Sequence, residues 1–109
     1  MALTIGTPEY WRLPQARGKA ICSVKITFDS SYPTGGEALA VSDIDGLQGD
    51  IDYLWCVGDG AGYVFEWDNT NSKIKAFWVD TTTDGAPLAE VVNTTDLSAV
   101  APYFVIVGN

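Results

Sequence analysis

The chain has 109 residues, 47% hydrophobic and 18% charged, which fits one domain with its own core. Its net charge of −8 argues against a nucleic-acid partner, and no apolar run approaches the roughly 20 residues of a membrane helix. We therefore expect neither nucleic acid nor membrane as a partner. The first residues lack a basic region followed by an apolar one, so we expect no signal peptide and folding in a cytoplasm.

Residues 1–19 are predicted to form an irregular arm, because prolines and glycines interrupt residues 6–19. Charge divides the chain in the same region. Residues 1–25 carry four basic side chains and one acidic one, a net charge of +3, whereas residues 26–109 carry two lysines and thirteen acids, a net charge of −11. The contrast fits either a solvated basic segment or an arm that binds an acidic neighbour, including another copy of the chain.

Aromatic and basic side chains make this arm the candidate site for binding a partner. Trp, Tyr and Arg are enriched among the residues that dominate interface energies. The candidate residues are Tyr10, Trp11, Arg12, Arg17 and Lys19. The same pattern also fits an edge strand folded back onto the chain's own core, and the sequence leaves both interpretations open.

Residues 20–109 are predicted to form a single β domain, because apolar and polar residues alternate in most segments. The first strand, residues 20–28, has four apolar side chains on one face: Cys22, Val24, Ile26 and Phe28. A second strand spans residues 50–57 and is expected to place Ile51, Tyr53 and Trp55 together on one face.

A hairpin is the clearest element, with strands at residues 62–67 and 73–79 joined by five turn-forming residues. Trp55, Trp67 and Trp78 are expected to pack in the core or on a sheet, although an exposed row of them would suit a sugar.

The last strand, Tyr103–Val107, is apolar on both faces and is predicted to lie centrally in a sheet. Residues 96–100 fit a single helical turn that Pro102 would end. Together these elements predict an all-β fold, a β-sandwich or jelly-roll-like barrel.

Residues that could support catalysis are few. The chain has no histidine, which excludes the Ser-His-Asp and Cys-His arrangements. Cys22 and Cys56 are expected to be reduced, buried thiols. The glycine-rich residues 58–62 fit a turn better than a phosphate loop, and the acidic run at residues 43–52 lacks EF-hand spacing. We predict a protein that is not an enzyme and that holds no cofactor or metal.

Three stretches resemble small structural proteins of tailed-phage virions. They are Tyr32–Leu39 (YPTGGEAL), Gly62–Lys75 (GYVFEWDNTNSKIK), and Gly85–Val91 (GAPLAEV) leading into Thr95–Val100 (TDLSAV). The resemblance covers residues 20–108 and leaves the first 19 residues outside. Within this group the chain is most similar to head decoration, or cement, proteins.

The resemblance implies a protein of the virion, assembled in the host cytoplasm, that binds the outer surface of the head and stabilises the shell. Its expected partners are the major capsid protein and further copies of itself, with a trimer favoured over a dimer. A tail, fibre or neck component of the virion and a carbohydrate-binding module stay open as alternatives. The matching stretches bring no catalytic residues with them.

Overall fold

Alternating apolar residues fold into strands, as the sequence predicts. The computed structural model describes residues 3–11, 19–57, 61–79, 85 and 87–109, and it contains nine strands and one 3-10 turn, with no α-helix, in those residues. The strands are β1 (Thr4–Ile5), β2 (Glu9–Trp11), β3 (Ala20–Thr27), β4 (Glu37–Ala38), β5 (Ile51–Cys56), β6 (Val64–Asp68), β7 (Lys73–Trp78), β8 (Ala89–Glu90) and β9 (Tyr103–Gly108), and the 3-10 turn is Val41–Asp43.

The strands form two antiparallel sheets that pack as a β-sandwich. In the five-stranded sheet, β3 and β5 flank β9, while β1 and β2 follow one another along the other edge of β3. In the four-stranded sheet, β6 pairs with β7, and β4 and β8 share the other edge of β7. The all-β fold predicted from the sequence is confirmed.

Tyr32 bonds to the edge of β7 between the two short strands β4 and β8, and it also bonds to β8. Its hydroxyl accepts a hydrogen bond from the Ala76 backbone N–H at 3.0 Å and donates one to Glu90 Oε2 at 2.8 Å. The same carboxylate oxygen accepts a bond from the Gly35 N–H at 2.8 Å. The Tyr32 hydroxyl thus pairs with the Ala76 N–H, a β7 backbone group that neither β4 nor β8 reaches. Tyr32 is only 1% exposed, but its own O–H donor is not left unpaired, because it bonds to Glu90.

Between the sheets lies a continuous apolar core. The predicted inner face of β3 is confirmed, since Cys22, Val24, Ile26 and Phe28 are all at most 2% exposed. Phe65 of β6 stacks on Phe28 at 5.0 Å between ring centroids and meets Phe104 of β9 edge-on at 5.5 Å. Each such buried ring stabilises the fold by roughly 1.5–3 kcal/mol relative to exposure.

The central position predicted for the last strand is also confirmed. β9 pairs with β3 along Ala20–Lys25 and with β5 along Ile51–Cys56. This arrangement keeps Cys22 and Cys56 two strands apart, about 10 Å, which exceeds the roughly 7 Å Cα separation that a disulfide tolerates. Cys22 is fully buried as expected, whereas Cys56 is only half-buried.

The N-terminal segment is more regular than the sequence suggests. Residues 4–5 and 9–11 pair with β3, so Tyr10 and Trp11 belong to an edge strand folded back on the domain, one of the two interpretations left open above. Pro8 precedes β2 and therefore removes no ladder hydrogen bond from it. Pairing of this kind covers the free edge of β3, which would otherwise offer unpaired backbone groups.

β5 departs from the predicted alternation. A register shift between Ile51 and Tyr53 inserts one residue against β9, so Ile51 points into the core while Tyr53 and Trp55 point outward. The prediction that all three share one face is wrong, because a single inserted residue reverses the side of everything after it.

A turn replaces the helical turn that Asp96–Val100 could have formed. Asp96 Oδ1 accepts hydrogen bonds from the Ser98 N–H at 2.9 Å and the Ser98 hydroxyl at 2.6 Å, and the Val100 N–H bonds to Leu97 at 2.8 Å. The two hydrogen bonds from Ser98 lower the pKa of Asp96. Residues 58–60 of the predicted glycine-rich turn at 58–62 lie outside the described residues.

Candidate functional site: an aromatic sheet face and an edge groove

The outer face of the five-stranded sheet carries two rows of side chains that cross β2, β3, β9 and β5. Residues directly opposite one another in antiparallel strands point to the same face. The register therefore aligns Trp11, Ile21, Val107 and Tyr53 in one row and Glu9, Ser23, Val105 and Trp55 in the next. Sequence segments from opposite ends of the chain thus meet on one surface.

Large apolar side chains on this surface are exposed. Their exposed fractions are 52% for Trp11, 66% for Tyr53, 45% for Trp55, 51% for Val57 and 53% for Tyr103, and these five residues are called the aromatic face. Soluble monomers rarely expose a contiguous apolar patch of this kind without a function for it. Val105 is 6% exposed although it points away from the core, so the centre of the face already excludes water.

The aromatic face contains one of the five residues predicted to bind a partner and touches a second. Trp11 is part of it. Lys19 lies beside it, where its Nζ atom is 2.6 Å from Asp52 Oδ2, next in sequence to Tyr53. Both side chains of this ion pair are partly exposed, so it stabilises the chain by at most about 1 kcal/mol. Arg12 and Arg17 lie outside the described residues.

Tyr10 has an internal role in this structure. It pairs with Cys22 on the core side of β2, and its hydroxyl donates a hydrogen bond to the Asp45 carbonyl oxygen. The ring also lies against Gly46, where an added methyl group would sit 2.6 Å from the Tyr10 hydroxyl oxygen. Tyr10 therefore fastens the loop at residues 43–49 to the N-terminal strand, and burial raises its pKa.

Tyr53, Trp55 and Tyr103 are not among the residues that the sequence predicts to bind a partner. For Trp55 the sequence predicts packing in the core or on a sheet, and its 45% exposure places it on an open sheet face instead. One sequence feature could have identified this face: β9 is apolar on both sides, yet only one side of a sandwich sheet can meet the core. The second apolar side requires a cover or a partner.

A groove runs between β5 and β6, the end strands of the two sheets. It has a volume of about 420 Å³ and is called the edge groove; it is lined by Asp52, Tyr53, Leu54, Trp55, Phe65, Glu66, Trp67 and Asn69. A second groove of about 440 Å³ lies beside Trp78, which is 40% exposed although the sequence predicts that it packs. Of the two, only the edge groove has carboxylates and aromatic rings on facing walls.

The carboxyl groups of Glu37, in β4, and half-buried Asp29 lie close together. Glu37 is 2% exposed, and burial together with the neighbouring Asp29 raises its pKa to about 7. Glu37 Oε1 and Asp29 Oδ2 are both buried and find no other hydrogen-bond partner in the described part of the chain. A protonated Glu37 carboxyl group can donate a hydrogen bond to Asp29, which would satisfy both oxygens.

Comparison with protein-family models, with curated proteins and with solved structures finds no match to this chain. The described residues contain no helix long and apolar enough to cross a membrane. They also contain no cluster of three or more His, Cys, Asp or Glu side chains placed to hold a metal ion.

Proposed function

We propose that the chain is a decoration protein of a tailed-phage head, which binds the outer surface of the capsid and stabilises the shell. The observation that carries the proposal is the aromatic face, an exposed apolar surface on a rigid sheet that suits permanent contact with another protein. The three stretches that resemble virion structural proteins support it independently.

Where the structure describes them, the three stretches lie in the core and the turns around it, so the resemblance they carry concerns the fold rather than a binding surface. Tyr32 and Leu39 from the first stretch are 1% exposed, and Leu97 from the last is also 1% exposed. These residues build the core and the turns around it. The surface that meets a partner therefore has to come from elsewhere, and the aromatic face provides it.

The residue types on the aromatic face suit a docking role. Tryptophan and tyrosine are enriched at interface hot spots, because each buries a large area with few rotatable bonds. At about 25 cal/mol per Å² of apolar surface, a face of this kind gives each copy modest affinity. Many copies on one shell then act together, so modest affinity per copy is sufficient.

The test measures occupancy on expanded heads that lack the protein. Wild-type chain is expected to bind at hundreds of copies per head, and Trp11→Ala with Tyr103→Ala is expected to weaken binding at least about tenfold. The matched control is Trp78→Ala, which removes an exposed tryptophan from the other sheet and should bind normally.

Two results would reject parts of the proposal. Equal occupancy of the double variant and the wild type would show that the aromatic face is not the contact. Failure of the wild-type chain to bind heads, with a cryo-electron map placing a few copies on the tail or neck, would replace decoration by the alternative virion role.

A further inference from the structure

The edge groove has the shape and chemistry of a ligand site, and it shares Tyr53 and Trp55 with the aromatic face. Its volume of about 420 Å³ falls in the range of small-molecule sites. It lies where the two sheets approach each other without hydrogen bonding, since β5 and β6 are each at the end of a sheet. Rigid strands therefore form both walls.

One wall of the groove presents flat apolar rings. Tyr53 and Trp55 are two residues apart on the same side of β5, so their attachment points are about 7 Å apart. They are 66% and 45% exposed, and Trp67 from β6 contributes a half-buried ring to the opposite wall. Such rings shelter the C–H faces of a ligand that is apolar on its faces and polar around its rim.

The polar groups of the groove are mainly hydrogen-bond acceptors. Glu66 is exposed and takes part in neither ion pair found among the described residues, so its carboxylate is available to a ligand. Asn69 adds an amide, and Asp52 adds a second carboxylate that Lys19 already neutralises. Ionised carboxylates accept hydrogen bonds only, and they repel anions.

We propose that the edge groove binds a neutral oligosaccharide. Sugar hydroxyls donate to carboxylates, and sugar rings present C–H faces to Tyr53 and Trp55. A proline-rich peptide fits less well, because its carbonyl groups need donors and the Trp67 indole N–H is buried. The proposal does not rest on decoration and would stand if decoration were disproved, although Tyr53 and Trp55 belong to both surfaces.

The experiment titrates the full chain with maltohexaose, cellohexaose and mannohexaose, following tryptophan fluorescence and calorimetry. An anionic hyaluronan hexamer and a proline-rich decapeptide serve as competitors of other classes. At least one neutral sugar is expected to bind. Trp55→Ala and Glu66→Gln should each weaken that binding about tenfold, the usual effect of losing one stacked ring or one charged hydrogen bond.

Two control variants separate the possible sites. Trp78→Ala removes a tryptophan of similar exposure from the second groove and should leave sugar affinity unchanged. Trp11→Ala should also leave it unchanged while weakening capsid binding. Circular dichroism checks the fold of each variant, and Tyr53→Ala, at a still more exposed position, provides a second test of the ring wall.

Several outcomes would overturn the proposal. Binding of none of the three sugars, preference for hyaluronan or the peptide, or equal sugar affinity in Trp55→Ala and the wild type would each do so. Loss of sugar binding in Trp78→Ala but not in Trp55→Ala would move the site to the second groove and end the assignment made here.

Discussion

Glu37 shows how one buried side chain links the fold to pH. Its carboxyl group is 2% exposed and close to Asp29, so the charged form loses hydration and meets a like charge. The protonated form instead donates a hydrogen bond to the Asp29 carboxylate. The residue is polar by type but neutral in the folded protein at acidic pH.

Stability should therefore fall as pH rises through the range in which Glu37 titrates. The unfolded side chain has a pKa near 4.5 and the folded one near 7, so the folded state holds the extra proton between these values. The stabilisation is complete below pH 4.5 and is lost as pH rises through about 7, for a total of up to about 3 kcal/mol. Urea unfolding of the wild type and of Glu37→Gln at pH 5 and pH 8 measures it.

The unfolding free energy of Glu37→Gln should change less with pH than that of the wild type. At pH 8 the variant should be the more stable of the two, because glutamine keeps a hydrogen-bond donor without carrying a charge. Glu66→Gln, at an exposed position, is the control and should keep the wild-type slope. If Glu37→Gln follows the wild-type curve, Glu37 does not titrate in this range.

Gly46 tests the contact that fastens the loop at residues 43–49 to β2. Its φ of +97° opposes a side chain, and so does the Tyr10 hydroxyl, which lies 2.6 Å from the position that an added methyl group would take. Gly46→Ala should destabilise the protein by about 2–4 kcal/mol, which combines backbone strain with displacement of Tyr10.

Gly35→Ala is the matched control for that substitution. Gly35 has a similar φ of +95° but nothing within 4 Å of an added methyl group, so it reports the backbone strain alone, about 1 kcal/mol. Thermal unfolding of both variants gives the difference. Equal losses would mean that Tyr10 moves away from Gly46 without cost.

At the scale of elements, period-two alternation predicts most of the strands and fails where pairing is irregular. β3 and β9 follow their patterns, because the register between these two strands runs without a break. β5 does not, because the shift between Ile51 and Tyr53 depends on how β9 pairs with it, and no local pattern encodes that. The same shift hides part of the candidate site from sequence reasoning, since it turns Tyr53 and Trp55 outward.

The N-terminal strands β1 and β2 also could not be predicted from a local sequence pattern. Two or three residues between prolines and glycines are too short to show a period, and β1 and β2 exist because β3 offers them an edge. Tertiary pairing therefore decides their structure. Residue type alone identifies Trp11 as a candidate contact, although it does not identify the neighbours of Trp11 on the aromatic face.

Removing residues 1–11 should therefore destabilise the domain as well as any interface. The deletion uncovers the edge of β3 and removes the Tyr10 contact, at about 2–5 kcal/mol in unfolding free energy, and it should promote aggregation. Chemical denaturation and light scattering measure both effects. Trp11→Ala, which keeps the backbone pairing, should lower the unfolding free energy by less than about 1 kcal/mol. If it lowers it as much as the deletion does, the Trp11 side chain and not the strand pairing is responsible.

At the scale of the molecule, charge separates the aromatic face from the rest of the surface. Among the described residues, the charged ones in or beside its rows are Glu9, Lys25 and the Lys19–Asp52 pair, which sum to zero. The whole chain carries −8. A neutral apolar face on an acidic molecule favours contacts driven by burial of apolar surface, and the remaining surface repels other copies and polyanions.

This charge distribution distinguishes two ways of docking on a shell. If the basic residues Arg12 and Arg17 dominate, affinity depends on long-range attraction and should fall steeply as salt screens it. If the aromatic face dominates, raising NaCl from about 0.05 M to about 0.5 M should change the Kd for expanded heads by less than about threefold. Arg12→Glu with Arg17→Glu should then bind within the same factor, whereas Trp11→Ala with Tyr103→Ala should not. If affinity for heads falls tenfold or more at high salt, and falls as much in the arginine variant, the basic arm rather than the aromatic face makes the contact.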